Sequence, residues 1–196
     1  PLAKILGGVS LMGTDSAGPS PPAILAAVKA GAEALHATIE DLILYADSQK
    51  EPAPYDCSLV DVNEVVGQTC AELAGRTEKA GIALCALYSP DKPVITGSRQ
   101  NIARAVRHLI LNAIVFNRAG GRVEVETAGA QNGAAVIVRD TGIGIPKDLL
   151  SGLGNPFYQI ADYMTRKTGG LGLGLAIVKH VAEAHKGSVA VTSVPG

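Results

Sequence analysis

Apolar residues between positions 22 and 48 fall at Leu25, Val28, Ala32, Leu35, Ile39, Leu42 and Ala46, spaced 3, 4, 3, 4, 3, 4. Held for three heptads, that seam predicts one long helix, with Glu33, Glu40 and Asp41 falling off the stripe. Residues 2 to 12 repeat the pattern with Leu2, Ile5, Val9 and Met12. Between the two runs lies GTDSAGPSPP, a Gly/Pro/Ser stretch whose composition argues against helix. Two seamed helices joined by a short loop make an antiparallel hairpin, which is too thin to bury its own seam. A four-helix bundle formed by two chains is the economical solution; the alternative is that the seam packs on the region downstream.

QKEPAP at 49–54 carries two prolines and breaks the helix, marking a linker. Beyond it the period changes repeatedly. Residues 61–80 read as a helix with Val62, Val65, Val66, Thr69, Leu73 and Arg76 on one broad face, and Ile82–Tyr88 as a strand. A second helix is predicted over 98–116, capped by Ser98. Arg122–Thr127 and Ala134–Arg139 alternate as strands joined by the turn residues GAQNG. Leu175–His185 is a third helix and Ser188–Ser193 a last strand. The expected fold class is α+β: a helical hairpin of the dimeric four-helix-bundle type, then a two-layer α/β sandwich with a largely hairpin-connected sheet. The expected organisation is a partial hairpin over 1–50, a linker over 51–56 and a second domain over 57–196.

Charge and composition narrow the function. Lys+Arg 17 against Asp+Glu 18 leaves a net charge of -1, which removes the electrostatic motive for nucleic-acid binding. Aromatics make up only 4% of the chain and Trp is absent, so a base-stacking platform is not expected either. Cys57, Cys70 and Cys85 are an odd set without a CxxC pair, which reads as buried thiols in a reducing cytoplasm rather than a metal or disulfide framework. No stretch approaches the roughly 18 uninterrupted apolar residues of a membrane span, and no signal peptide is seen, so this part of the chain is expected to make no membrane contact.

Three segments carry the candidate chemistry: His108-Leu-Ile-Leu-Asn112 on the second predicted helix, Asp140-Thr-Gly-Ile-Gly-Ile-Pro146 directly after a strand, and Gly169-Gly-Leu-Gly-Leu-Gly-Leu175 leading into a helix. A strand-end aspartate is costly to bury unless it accepts hydrogen bonds, and a purine amino group supplies one. Gly142 and Gly144 allow backbone and ligand to approach closely. Gly170, Gly172 and Gly174 form a hinge ending at a helix N-terminus, whose amides and dipole suit phosphate oxygens. Asn112 offers one hard neutral oxygen to a Mg²⁺ already held by phosphates. Each signal alone is as readily a tight turn, a glycine linker or a satisfied polar residue. Their joint occurrence in this order is far less easily accidental.

The three segments resemble the N, G1 and G2 boxes of the histidine-kinase ATPase family, whose fold is shared with gyrase, Hsp90 and MutL. NPFY at 155–158 resembles the intervening F box, LILYADSQ the end of the second dimerisation helix, and PLAKILGG the stretch after the phosphoacceptor motif H-E-L-R-T-P-L. The resemblance spans essentially the whole chain, with GGLGLGLAIVK its most specific part.

It implies ATP and Mg²⁺ as ligands, with Asn112 on the metal and Asp140 receiving the adenine amino group. Gly142, Gly144 and Ile145 would shape the base pocket. Gly170, Leu171, Gly172, Leu173 and Gly174 would form the hinge of a lid running from about Lys147 to Leu171, and Arg166 and Lys167 would be its phosphate-facing cations.

It also implies a cytoplasmic homodimer that belongs to a two-component phosphorelay, the cytoplasmic part of a membrane-bound sensor being one form. The γ-phosphoryl would go to a histidine just upstream of Pro1 and then to a response-regulator receiver domain. No catalytic histidine is expected among the four in the chain, and the family's closing strand after SVPG is expected to be missing.

Four departures cluster on the phosphate side. His108 stands where Asn is usual, Val115 where Lys, Arg or His is usual, Gln159 where Arg follows the F box, and Leu171 where Thr or Ser separates G2 glycines. Each lost charge-assisted bond is worth about 1.5–3 kcal/mol, so slow turnover is expected. The alternative function is a nucleotide-gated dimeric scaffold, or pseudokinase, with weak or no phosphotransfer. A hydrolytic member of the wider fold would need a Glu on the Asn helix, where His108 stands. A P-loop enzyme would need GxxxxGK[ST], which does not occur.

Overall fold

The computed structural model describes residues 2, 5, 6, 21–48, 57–131, 133–160 and 171–195. The chain divides into two compact units, Pro1–Ala46 and Asp47–Gly196.

In the first unit Leu2, Ile5 and Leu6 are helical, and the helix α1 runs Pro21–Ser48. Two prolines open α1, where a missing N–H costs no intrahelical bond. Lys29–Glu33 at 4.0 Å and His36–Glu40 at 3.6 Å pair along its solvent side one turn apart. Much of the predicted seam is open within the single chain: Leu25 is 61% exposed, Ile39 46% and Leu42 39%, while Ile24, one position off the stripe, is buried. The turn at 13–20 and the linker at 51–56 lie outside the described residues.

The second unit runs β1 (Ser58–Asp61), α2 (Val62–Ala80), β2 (Ala83–Leu87), β3 (Val94–Gly97), α3 (Arg99–Val115), β4 (Arg122–Ala130), β5 (Gly133–Asp140), α4 (Lys147–Leu150) and α5 (Gly174–Ala184). Asp61 caps α2 by accepting from the Glu64 N–H at 3.2 Å, and Gly81 ends that helix in the left-handed region. Ser98 caps α3 as its sequence predicts, accepting from the Asn101 N–H.

The main sheet has the order β2-β4-β5. β2 pairs with β4 in parallel and only β4–β5 is a hairpin, so the sheet is less hairpin-built than its turn signals suggest. The parallel pair needs a crossover, which the segment containing β3 and α3 supplies. A separate antiparallel ribbon joins β1 to β3 with Val60 opposite Ile95. Its strands of four residues are too short to announce themselves by alternation. Residues 188–195 carry no strand, contrary to the prediction for Ser188–Ser193; Val189 and Val191 are exposed and do not supply a buried alternating face.

Period-2 patterning sets the layers. Val123, Val125 and Thr127 of β4 point inward, and the two valines join Val65, Val66, Cys70 and Leu73 of α2 and Ile102, Val106 and Ile110 of α3 in one core. Cys57 and Cys85 are exposed, contrary to the expectation of three buried thiols. Glu124 and Glu126 point outward to Arg139 on β5, whose guanidinium is held even more firmly protonated by the Glu126 hydrogen bond. The buried Thr127 hydroxyl is satisfied on both sides, donating to Asn63 Oδ1 at 2.6 Å and accepting from the Ser89 N–H at 2.8 Å.

Candidate nucleotide site

Helix α3 is the wall against which the other predicted segments collect. Its C-terminal end meets the Asp140–Pro146 loop. The Phe116 N–H donates to the Asn112 carbonyl at 3.0 Å, and the Phe116 carbonyl accepts from the Ile143 N–H at 3.1 Å. Two backbone bonds therefore connect the Asn112 turn to the loop after β5. Gly142 is buried here, and a Cβ on it would stand 2.4 Å from the Phe116 carbonyl oxygen and 2.7 Å from Asp140 Oδ1. Only glycine permits that approach.

Asp140 is exposed, so the desolvation cost anticipated for a buried strand-end carboxylate does not arise. Its Oδ1 accepts the Gly142 N–H at 2.8 Å. A carboxylate offers two oxygens with about four lone-pair positions, so one oxygen can brace its own loop while the other meets a ligand. Thr141 stitches the same loop to β4: its Oγ1 accepts from the Arg122 N–H at 2.9 Å, and its carbonyl accepts from Arg118 Nε at 2.7 Å.

Further back, α3 meets α5. A Cβ on Gly174 would lie 3.1 Å from His108 Nδ1, so the start of α5 abuts the middle of α3. At the opposite end His185, the C-cap of α5, accepts the Ser98 N–H through Nε2 at 3.3 Å. The two helices are therefore antiparallel. Asn112 lies one turn, about 6 Å, beyond His108 in the direction from which the glycine hinge enters α5.

The hinge itself packs on the NPFY segment. Gly172 has φ +73, and a Cβ there would come 2.8 Å from the Tyr158 carbonyl oxygen and 3.0 Å from the Phe157 carbonyl carbon. Leu173 is buried at 3% exposure, so what it can present to a ligand is backbone rather than side chain. Leu171 is 42% exposed. Among the described residues no side chain caps the α5 N-terminus, and its first-turn amides suit an anionic ligand.

Gly144 has φ +66 and lies against the Val194 backbone, and the Ile145 N–H donates to Ser193 Oγ at 2.8 Å. Arg166, Lys167 and Gly170 lie outside the described residues. Among the described residues no group of three or more His, Cys, Asp or Glu side chains could hold a metal ion.

The structure thus sets the Asp140–Gly142 loop against the end of α3 at Phe116 and Gly174 against its middle at His108, with Asn112 lying along the helix between those two points. The backbone of Phe116, Phe157 and Tyr158 and the hydroxyls of Thr141 and Ser193 take part as well. The Phe116 carbonyl and the Thr141 and Ser193 hydroxyls carry no signal in the sequence, because the remote N–H that each accepts is not written beside it, whereas Phe157 and Tyr158 lie in the NPFY segment.

An asparagine helix, a DxGxG loop and a glycine-hinged helix start on one α/β sandwich define the nucleotide-binding class shared by histidine kinases and gyrase. Residues 97–196 match the histidine kinase-, DNA gyrase B- and HSP90-like ATPase family, and the chain belongs to it, with a histidine-kinase ATPase catalytic domain. It is 33% identical over its whole length to the sensor histidine kinase RppB of Synechocystis sp., spanning 44% of that protein. Its fold is similar to that of the histidine kinase AdeS of Acinetobacter baumannii, with TM-score 0.75 and 20% identity over 100% of this chain and 89% of that one. It is also similar to full-length ShkA solved in complex with AMPPNP, with TM-score 0.69 and 23% identity over 93% of this chain and 36% of that one. The chain spans less than half the length of the curated relatives it matches. Among the described residues no helix is long and apolar enough to cross a membrane.

Proposed function

We propose that the chain is the ATP-binding core of a dimeric, cytoplasmic protein histidine kinase. The observation that carries this reading is the sharing of α3: the Asp140 loop is bonded to its end at Phe116, and the start of α5 rests on His108. A nucleotide placed between them has its base toward Asp140 and its phosphates toward the α5 amides. Asn112 would hold Mg²⁺, which would supply neutralisation of phosphate charge.

A histidine imidazole outside the 196 residues takes the γ-phosphoryl group, releasing ADP, and a receiver-domain aspartate takes it onward. The protein contributes positioning and electrostatic stabilisation rather than covalent chemistry. The exposed α1 seam is the surface on which two copies would form the bundle.

Three positions where the resemblance expects a cation or a hydroxyl lack one: Val115 is 41% exposed at the end of α3, Gln159 is exposed, and Leu171 is apolar. Turnover is accordingly expected to be slow, and adenosine should keep much of the affinity of ATP. The same observation favours the second reading, a scaffold that binds nucleotide and signals by conformation.

Calorimetry and labelling separate them. Mg-ATP should bind the chain, and Asp140→Asn should weaken binding by about ten-fold or more through one charge-assisted bond. A chain extended upstream through the expected histidine, incubated with γ-labelled ATP, should acquire label that survives base and not acid. Binding without label supports the scaffold; no binding by the parent chain sinks both readings.

A further inference from the structure

We propose that Ser193 is a positioning residue for the nucleotide site, acting through the backbone N–H of Ile145; the proposal rests on the nucleotide reading above. The Ile145 N–H donates to Ser193 Oγ at 2.8 Å across 48 residues of sequence. Immediately before it, Gly144 at φ +66 lets the C-terminal segment close in, since a Cβ there would stand 2.1 Å from the Val194 carbonyl oxygen and 2.9 Å from Pro195 Cα. The glycine that resemblance assigns to the base pocket is therefore also required by the chain's own backbone.

Apolar burial does not hold this strap down. Val194 is 83% exposed, whereas Ser193 is half-buried. Fastening falls to the hydroxyl and to the glycine that makes room for it. The remainder of the loop is anchored elsewhere, Gly142 to Asp140 and Ile143 to Phe116. Ile145 is the last N–H before Pro146, which has none, and α4 starts at Lys147. Ser193 thus pins the distal end of the loop, between the proposed base pocket and the beginning of the lid. Its effect should fall on the base, not on the phosphates.

The test uses the 196-residue chain with Ser193→Ala and Ser193→Thr, titrated calorimetrically with adenosine and with Mg-ATP, and followed by amide exchange at Ile145. Loss of one neutral hydrogen bond predicts that Ser193→Ala weakens adenosine and ATP alike by about three- to ten-fold, with faster exchange at Ile145. Ser193→Thr, which keeps the hydroxyl, should restore both. A Ser193→Ala chain that melts earlier yet binds adenosine as the parent does overturns the proposal. So does a loss confined to ATP, or an Ile145 amide that exchanges no faster. If the parent chain binds neither ligand, the nucleotide reading itself fails and takes this inference with it.

Discussion

The Ile143 N–H and the Phe116 carbonyl, 3.1 Å apart, join the loop after β5 to the end of the helix that bears Asn112. That bond forms only because Gly142 has no side chain to separate the two backbones. Gly142→Ala would push a methyl group into the Phe116 carbonyl and the Asp140 carboxylate, one of which is backbone and cannot swing aside. The expected cost is about 1–3 kcal/mol of stability, the range for overpacking a tight site. Nucleotide affinity should fall further than stability, because the loop moves away from Asn112. Thermal melting and ATP titration on the same variant check this; unchanged affinity would count against the site.

A second contact ties α3 to α5 at their other ends. A Cβ on Gly97 would lie 2.2 Å from His185 Nε2, the atom that accepts the Ser98 N–H. The ring is oriented by Nδ1, which donates to the Val181 carbonyl at 2.7 Å. Gly97→Ala should therefore displace the imidazole and lose the Ser98 bond, at about 1–3 kcal/mol. His185→Ala removes both the bond and the obstacle. The double variant should then cost less than the sum of the singles, with a coupling of about 0.5–3 kcal/mol in a double-mutant cycle followed by denaturant melts. Strict additivity would show that the ring does not fill that space in solution.

Lys186 follows the His185 cap at φ +59, a left-handed conformation that favours glycine, and its N–H donates to the Glu183 carbonyl at 2.9 Å. The side chain is exposed. Lys186→Gly should stabilise the chain by about 0.5–1 kcal/mol, raising the melting temperature by roughly 1–4 °C. A lowered melting temperature would mean that the lysine side chain contributes more than its backbone costs.

Sequence reading succeeded where a pattern is local. The 3.6 period of Val62–Ala80, the Ser98 cap, the alternation of Val123 and Val125 and the helix after the glycine run are each written in neighbouring residues, and the corresponding elements form where expected. It failed where pairing is remote or brief. β1 and β3 meet across more than thirty residues with four-residue strands, and Ser188–Ser193 has the alternation of a strand without adopting one. A strand needs a partner edge, and alternation alone does not supply it.

The chain's own sequence determined the long helices and the β4–β5 hairpin, and which face of each is apolar. Those properties depend on backbone sterics and on hydrophobic period, both of which act over a few residues. Tertiary structure alone decided that Phe116 receives Ile143, that Gly174 rests on His108, and that Ser193 reaches Ile145. Backbone acceptors and close glycine contacts carry no residue-type signal, so they become visible only once packing has brought distant segments together.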